Sequence, residues 1–480
     1  MSTKLDYNEE VLSQAQTRRA TIEFINIVND LWYDKSIELV LFRNPLVDKR
    51  ASEVLNLIAY AKEFVSKPIS IQDALDIAKA IQQLDLPSSK LDIGKLAYEC
   101  YLGSKNSGDK VAFVQQKLKN AIAAKDIRPK DVVLYGFGRI GRLLARELMV
   151  KMGKGSQLRL RAIVTRGEIN YTVLEKRASL LSIDSVHGDF LGTVEIDAEN
   201  NALIINGTTV HMISANNPED INYTKYGIND ALVIDNTGAF RDKEALSRHL
   251  KGEGVAKVLI TAPAKGVANI VHGVNHKQHN PDSVDIFSAA SCTTNAITPI
   301  LKVLEDNYGI KKGHLETIHA YTNDQNLVDN MHSKYRRGRA AALNMVITET
   351  GAGAAVAKAI PALEGKLTSN AIRVPVPNGS LAILSLQLRT KVTKVRVNSL
   401  IKKYALEGDL VEQIKYSMDN ELVSSDIVGI TAPSIFDSKA TIADEETIVI
   451  YVWYDNEYGY SHQVIRLAKH IAKVRRYTYY

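Results

Sequence analysis

The stretch Gly136-Phe137-Gly138-Arg139-Ile140-Gly141 limits the fold more than any other in this chain. It follows a short continuous apolar run, Val132-Val133-Leu134-Tyr135, and runs into a helical pattern over Arg142 to Val150. G-x-G-x-x-G between strand and helix needs three glycines for three reasons. The first permits a tight turn, the second lets a pyrophosphate approach the backbone, and the third lets helix pack on strand. A plain tight turn would use glycine too, so the flanking strand and helix carry the reading. Further apolar runs at Leu158–Val164, Val210–Ser214, Ala231–Asn236 and Val258–Thr261 alternate with helical segments. The expectation is an α/β fold with a doubly wound, Rossmann-type cofactor domain.

A nicotinamide dinucleotide site of this kind usually carries an acidic residue after the second strand, where it binds the ribose hydroxyls. Here the chain reads Thr165-Arg166. Arginine cannot accept from a 2′-hydroxyl, but it can pair with a 2′-phosphate; a solvated surface arginine is the bland alternative. NADP therefore stands beside NAD as the expected cofactor.

Ser291-Cys292-Thr293-Thr294-Asn295 opens a helical pattern that runs to about Asn307 and ends at Gly309, with Ser291 as its N-cap. The first turn of a helix offers free N–H groups and the positive end of the macrodipole, which favour the thiolate of Cys292. A lone cysteine is often just a buried thiol. In the segment Leu315 to Gln325, His319 lies at the end of a strand-like run and is either a structural histidine or the base that a cysteine nucleophile requires. Thr348-Glu349-Thr350-Gly351-Ala352-Gly353 leads into an alanine-rich helix before Pro361, whose free N–H groups suit a phosphate. Arg373 is a charge in the apolar run Ala371 to Pro375, so it should face a carboxylate or an anionic ligand.

Residues 1–128 read as all-helical. One stripe is Val54, Leu57, Ile58, Ala61, Phe64 and Val65. Ser70-x-x-Asp73 is a capping box ahead of a second stripe, Ala74, Leu75, Ala78, Ile81 and Leu84, which Pro87 closes. Two more helical patterns lie near Leu91–Leu102 and Lys110–Ala124. These are packing faces and carry no chemistry.

Composition narrows the classes. The two cysteines, Cys100 and Cys292, are far apart in sequence, which argues against a disulfide framework and for a reducing compartment. No secretory h-region and no apolar run of roughly 20 residues is visible, so the expected location is cytoplasmic, without membrane contact. Residues 1–128 hold 18 Lys+Arg against 17 Asp+Glu, so +5 of the net +6 lies later. That excess suits anionic small substrates and is a weak nucleic-acid footprint.

Ser-Cys-Thr-Thr-Asn, His319-Ala-Tyr-Thr322, the glycine motif, Ile372-Arg-Val-Pro375 and Trp453-Tyr-Asp-Asn456-Glu-Tyr-Gly-Tyr-Ser461 occur in order. Together they make residues 130–480 resemble phosphorylating glyceraldehyde-3-phosphate dehydrogenases, oxidoreductases of glycolysis and gluconeogenesis. The resemblance implies a Rossmann domain over 129–290, completed by 456–480, and does not account for the helical extension over 1–128. An α+β catalytic domain over 291–455 and assembly as a homotetramer are implied as well. It makes Cys292 the nucleophile and His319 the base. Thr322 and Arg373 would hold the substrate phosphate, and Ser291, Thr293, Thr350 and Gly351 the attacking inorganic phosphate. Gly136, Gly138, Arg139, Ile140, Gly141, Arg166, Thr261 and Asn456 would contact the cofactor, Asn456 at the nicotinamide amide. The Cys292 N–H is an oxyanion donor. The implied metal count is zero. A sister class acting on erythrose 4-phosphate and an idle scaffold protein are the competing readings. The extension is expected to pack on the core or at subunit contacts.

Overall fold

Lys130–Tyr135 is a central strand of an eight-stranded sheet in the computed structural model, which describes residues 6–103, 108–123 and 127–480. The last residue of the expected helix Lys110–Ala124 falls outside the described residues. In spatial order the sheet runs Ile286–Ser288, Val255–Ile260, Ala231–Asp235, Lys130–Tyr135, Leu158–Thr165, Thr208–Ser214, Ala202–Ile205 and Val194–Asp197. The first six strands are parallel; the last two turn back antiparallel. The parallel strands are apolar because helices cover both faces. Val133, Val164, Val233, Val258 and Ile260 form the core on one side. The chain departs from Lys130–Tyr135 to one side, and Ala231–Asp235 lies on the other. The crevice at their carboxyl ends is the switch point where doubly wound sheets bind ligands.

The second sheet is mixed, in the order Val346–Thr348, Leu367–Val374, Ile310–Ala320, Ser380–Leu388, Thr447–Tyr454, Ser434–Asp437 and Ile414–Ser417. Helix Cys292–Tyr308 buries Ala296, Ile297, Ile300, Leu301 and Leu304 against Leu384, Leu386, Ile450 and Val452. Gly309 stops that helix at φ +68°, its N–H bonded to the carbonyls of Leu304 and Glu305. Helix Tyr458–Ile471 follows Asn456 and packs on helix Arg139–Val150.

Residues 130–151 and 158–473 form one compact unit; the other comprises the chain up to Pro129, Met152–Gln157 and Val474–Tyr480. The smaller unit is helical, with helices Tyr7–Lys35, Ala51–Glu63, Ile71–Gln82 and Ile93–Gly103. The Ser70 capping box forms as the sequence indicates: the Asp73 N–H donates to Ser70 Oγ, and the Ser70 N–H donates to Asp73 Oδ2 at 2.7 Å. The all-helical reading needs a correction here. A four-stranded sheet, Asn44–Pro45, Glu38–Leu41, Ser89–Asp92 and Tyr477–Tyr479, lies beside the helices. Its strands have two to four residues, too few for a periodicity to register, and one of them comes from the far end of the chain. The expected C-terminal completion of the cofactor domain therefore stops at Lys473, because Tyr477–Tyr479 pairs in parallel with Ser89–Leu91. Arg476 secures this strand. It donates to the Ser36 carbonyl at 3.0 Å, pairs with Glu38 at 3.2 Å and covers the Trp32 ring at 4.8 Å.

Candidate active site

Strand Ile286–Ser288 delivers the chain to a tight corner. Ala290 takes φ +55°, a left-handed conformation that costs a non-glycine residue about 1–2 kcal/mol. The Tyr460 hydroxyl donates to its carbonyl at 2.9 Å and holds it there. Ser291 then caps the helix, its Oγ accepting from the Thr294 N–H at 3.0 Å. Asn295 Nδ2 donates to the carbonyls of Ala289 and Ser291 at 2.7 and 3.0 Å, closing the corner. Cys292 is thus the first residue of the helix, where the sequence predicts it. Thr293 is buried and shares a hydrogen bond of 3.0 Å with the Tyr454 hydroxyl.

Strand Ile310–Ala320 brings His319 to the same place, with Nε2 3.5 Å from Cys292 Sγ. His319 Nδ1 lies 2.6 Å from the carbonyl of Ala320, which can only accept. Arg373 Nη1, a donor, also lies 3.1 Å from Nδ1; the shorter contact, to the carbonyl, is met only by a proton on Nδ1, which leaves the Nε2 lone pair facing sulfur. Arg373 is the register partner of His319 on the neighbouring parallel strand. Its Nη1 donates to the same Ala320 carbonyl at 3.0 Å and lies 3.4 Å from Thr322 Oγ1. No carboxylate pairs with Arg373 among the described residues, and its Nε is buried without a partner. A half-buried cation left in that state has the chemistry of an anion site.

Burial pushes the Cys292 thiol up from its ordinary range, while the Arg373 guanidinium and hydrogen bonds from Thr293 act the other way. The helix start alone therefore does not decide the thiolate, contrary to the simplest reading of the sequence. Burial, with Arg373 nearby, pushes His319 down to about 3. Proton transfer from sulfur to Nε2 would set opposite charges 3.5 Å apart. At an effective dielectric of 20 their attraction is about 5 kcal/mol, or roughly 3 to 4 pKa units, the size of the shift on His319 alone.

Thr350 and Gly351 lie where strand Val346–Thr348 passes into helix Ala352–Ala359. They line an open cleft of about 950 Å³ with Lys334, Arg336 and Arg337. Arg337 donates from Nε to Thr348 Oγ1 at 3.0 Å, and its charge helps depress His319. The basic run Lys334-Tyr335-Arg336-Arg337 is the sequence signal for it.

The glycine turn fits a dinucleotide. Gly136 has φ +99°, and a Cβ on Gly141 would lie 2.5 Å from the Gly136 carbonyl. Beyond Gly138, the N-cap of the helix that begins Arg139-Ile140, the space is open. The Arg139 side chain is not directed to a cofactor: Nε and Nη2 bind the Glu457 carboxylate at 2.5 and 2.6 Å, and Nη1 reaches Asp184 at 3.2 Å. Only the backbone of Arg139 and Ile140 remains for a pyrophosphate. Arg166 follows the second strand, Leu158–Thr165, exposed and with no ion pair among the described residues. Thr261 follows strand Val255–Ile260, its Oγ1 donating to the Asp235 carbonyl at 3.1 Å. Asn456 is buried, with Oδ1 accepting from the Ser380 hydroxyl at 2.7 Å. Ser380 and Tyr454 are the residues of this site that sequence reasoning passed over.

Residues 130–243 match the glyceraldehyde 3-phosphate dehydrogenase NAD binding domain, and residues 291–456 match the C-terminal domain of the same family. A glyceraldehyde-3-phosphate dehydrogenase-like protein of Pseudomonas aeruginosa is 47% identical, over 94% of this chain and 98% of its own length. The chain belongs to the glyceraldehyde-3-phosphate dehydrogenase family. Glyceraldehyde-3-phosphate dehydrogenase of Streptomyces coelicolor is 41% identical, over 70% of this chain and 96% of its own length. Glyceraldehyde-3-phosphate dehydrogenase 1 of Bacillus subtilis is 40% identical over 71% and 98%. Two levels of coverage thus separate the relatives: the Pseudomonas protein is similar along nearly the whole chain, the other two over some seven-tenths of it. No described helix is long and apolar enough to cross a membrane.

Proposed function

We propose that this dehydrogenase catalyses the NAD(P)-dependent oxidative phosphorylation of D-glyceraldehyde 3-phosphate to 1,3-bisphosphoglycerate. The observation that carries the proposal is the approach of His319 Nε2 to Cys292 Sγ, with Nδ1 already committed to Ala320. Cys292 Sγ attacks the aldehyde carbon, and the thiol proton ends on the carbonyl oxygen, giving a hemithioacetal. His319 Nε2 then takes that hydroxyl proton as the C=O bond re-forms and a thioester results. A bound nicotinamide supplies the acceptor for the hydride that leaves the carbon. Phosphate attacks the thioester carbon, the C–S bond breaks, and Cys292 leaves as a thiolate. Arg373 and Thr322 would hold the substrate phosphate; Ser291, Thr293, Thr350 and Gly351 would bind the attacking one.

Arg166 supports NADP as the better cofactor, because an exposed arginine without an ion pair is available to a 2′-phosphate. Assembly with further copies is supported by Leu327, Met331, Leu343 and Met345, apolar side chains exposed to between 76% and 90%. The test is the initial rate of nicotinamide reduction with glyceraldehyde 3-phosphate and phosphate, at matched limiting NAD and NADP, with Cys292→Ser as the blank. A phosphate-dependent rate absent from the blank supports the proposal. No rate with either cofactor ends it.

A further inference from the structure

Three strands of the second sheet end at one edge of the site: Ile310–Ala320, Ser380–Leu388 and Thr447–Tyr454. Ser380 sits at their junction, fully buried. Its hydroxyl oxygen accepts from the Ala320 N–H at 3.0 Å, and its proton goes to Asn456 Oδ1 at 2.7 Å. On the other side of the same residue, the Ala320 carbonyl receives His319 Nδ1 at 2.6 Å and Arg373 Nη1 at 3.0 Å. One hydroxyl thus joins the Asn456 amide to the residue that fixes the histidine ring. Gly379 places it there: at φ +86° a Cβ would lie 2.3 Å from the Ser424 carbonyl. The backbone next to Asn456 has its own anchor. Asp455 Oδ1 accepts from Asn378 Nδ2 and from the N–H groups of Glu457 and Tyr458, between 2.7 and 2.9 Å. With the main chain held by Asp455, the Asn456 side chain still has rotamers to choose among, and the Ser380 hydroxyl selects one.

We propose that Ser380 is a positioning residue that fixes the Asn456 amide for the nicotinamide and ties it to the backbone holding His319. This rests on the proposed dehydrogenase reading, in which Asn456 meets the nicotinamide carboxamide. With Oδ1 occupied by Ser380, the Nδ2 donors of Asn456 are left for the ligand. Replacing the hydroxyl leaves Oδ1 and the Ala320 N–H unpaired in a buried place, and the amide loses its single orientation.

The experiment is a double-mutant cycle read by calorimetric titration of the full-length protein with NAD and with NADP. Ser380→Ala is expected to weaken the dissociation constant about tenfold, the order of one hydrogen bond. In an Asn456→Ala background the same change should have no further effect. Ser380→Cys, nearly isosteric but a poor donor, should behave like Ser380→Ala, and Ser380→Thr should keep wild-type binding. Equal losses from Ser380→Ala with and without Asn456 would overturn the proposal, as would unchanged binding in both Ser380→Ala and Ser380→Cys. If the wild-type protein binds neither dinucleotide, the dehydrogenase reading itself fails, a separate outcome.

Discussion

Cys292 and His319 meet through one defined tautomer: Nδ1 is spent on the Ala320 carbonyl at 2.6 Å, so the basic Nε2 faces Sγ at 3.5 Å. Proton transfer between this half-buried thiol and the buried imidazole gains from the attraction of the resulting charges. His319→Asn removes that attraction. Alkylation of Cys292 by iodoacetamide should then slow at neutral pH, its midpoint moving to higher pH by one unit or more, about a tenfold loss of thiolate. An unchanged alkylation profile would contradict the pairing.

Arg373 is predicted to serve function against stability. Its guanidinium lacks a carboxylate partner among the described residues, and burial lowers its pKa. Arg373→Met should raise KM for the aldehyde phosphate by roughly a hundredfold, the order of a lost charge-assisted anion contact. Its melting temperature should hold or rise. A large fall in melting temperature would show that Arg373 is chiefly structural.

Arg476 should behave in the opposite way. It is buried against Glu38 and Trp32 and carries the strand Tyr477–Tyr479. Arg476→Ala strips a buried carboxylate of its close partner, leaving Lys90 at 3.6 Å, so a loss of about 3 kcal/mol is expected. Chemical denaturation followed by Trp32 fluorescence reads this, and an unchanged midpoint would contradict it.

Much of the site follows from local sequence, because each motif sits where a strand ends or a helix starts and the fold needs only to bring those ends together. The capping of Cys292 by Ser291 and the glycine turn are of this kind. Non-local features were not visible. Ser380 acquires its role from Ala320 and Asn456, sixty and seventy-six residues away. Tyr477–Tyr479 finds its partner strand nearly four hundred residues earlier, and nothing in a three-residue strand announces that pairing. The place of Arg139 in the glycine motif predicts a cofactor contact, but Glu457 and Asp184 take its side chain and leave only its backbone for one. The helix start predicts a thiolate at Cys292, whereas burial depends on residues drawn from the whole domain.

His462 should be a source of acid sensitivity, beside His319. Burial pushes His462 down to about 4, although Glu147 lies 3.3 Å away. Its folded pKa lies below the unfolded value near 6.5, so the unfolded chain binds the proton more readily between those values. Stability from this group is complete above pH 6.5 and is lost as pH falls toward 4, on the order of 3 kcal/mol. His462→Gln should flatten the stability profile across that window. A profile as steep as wild type would assign acid sensitivity elsewhere.

The chemistry itself is tested most directly by mass spectrometry of the protein after mixing with glyceraldehyde 3-phosphate and oxidised cofactor in the absence of phosphate. The expected result is one 3-phosphoglyceroyl group per chain, mapped to Cys292, absent in Cys292→Ser and released as an acyl phosphate when phosphate is added. An acyl group on another residue, or reduced cofactor formed with no adduct at Cys292, would contradict the account.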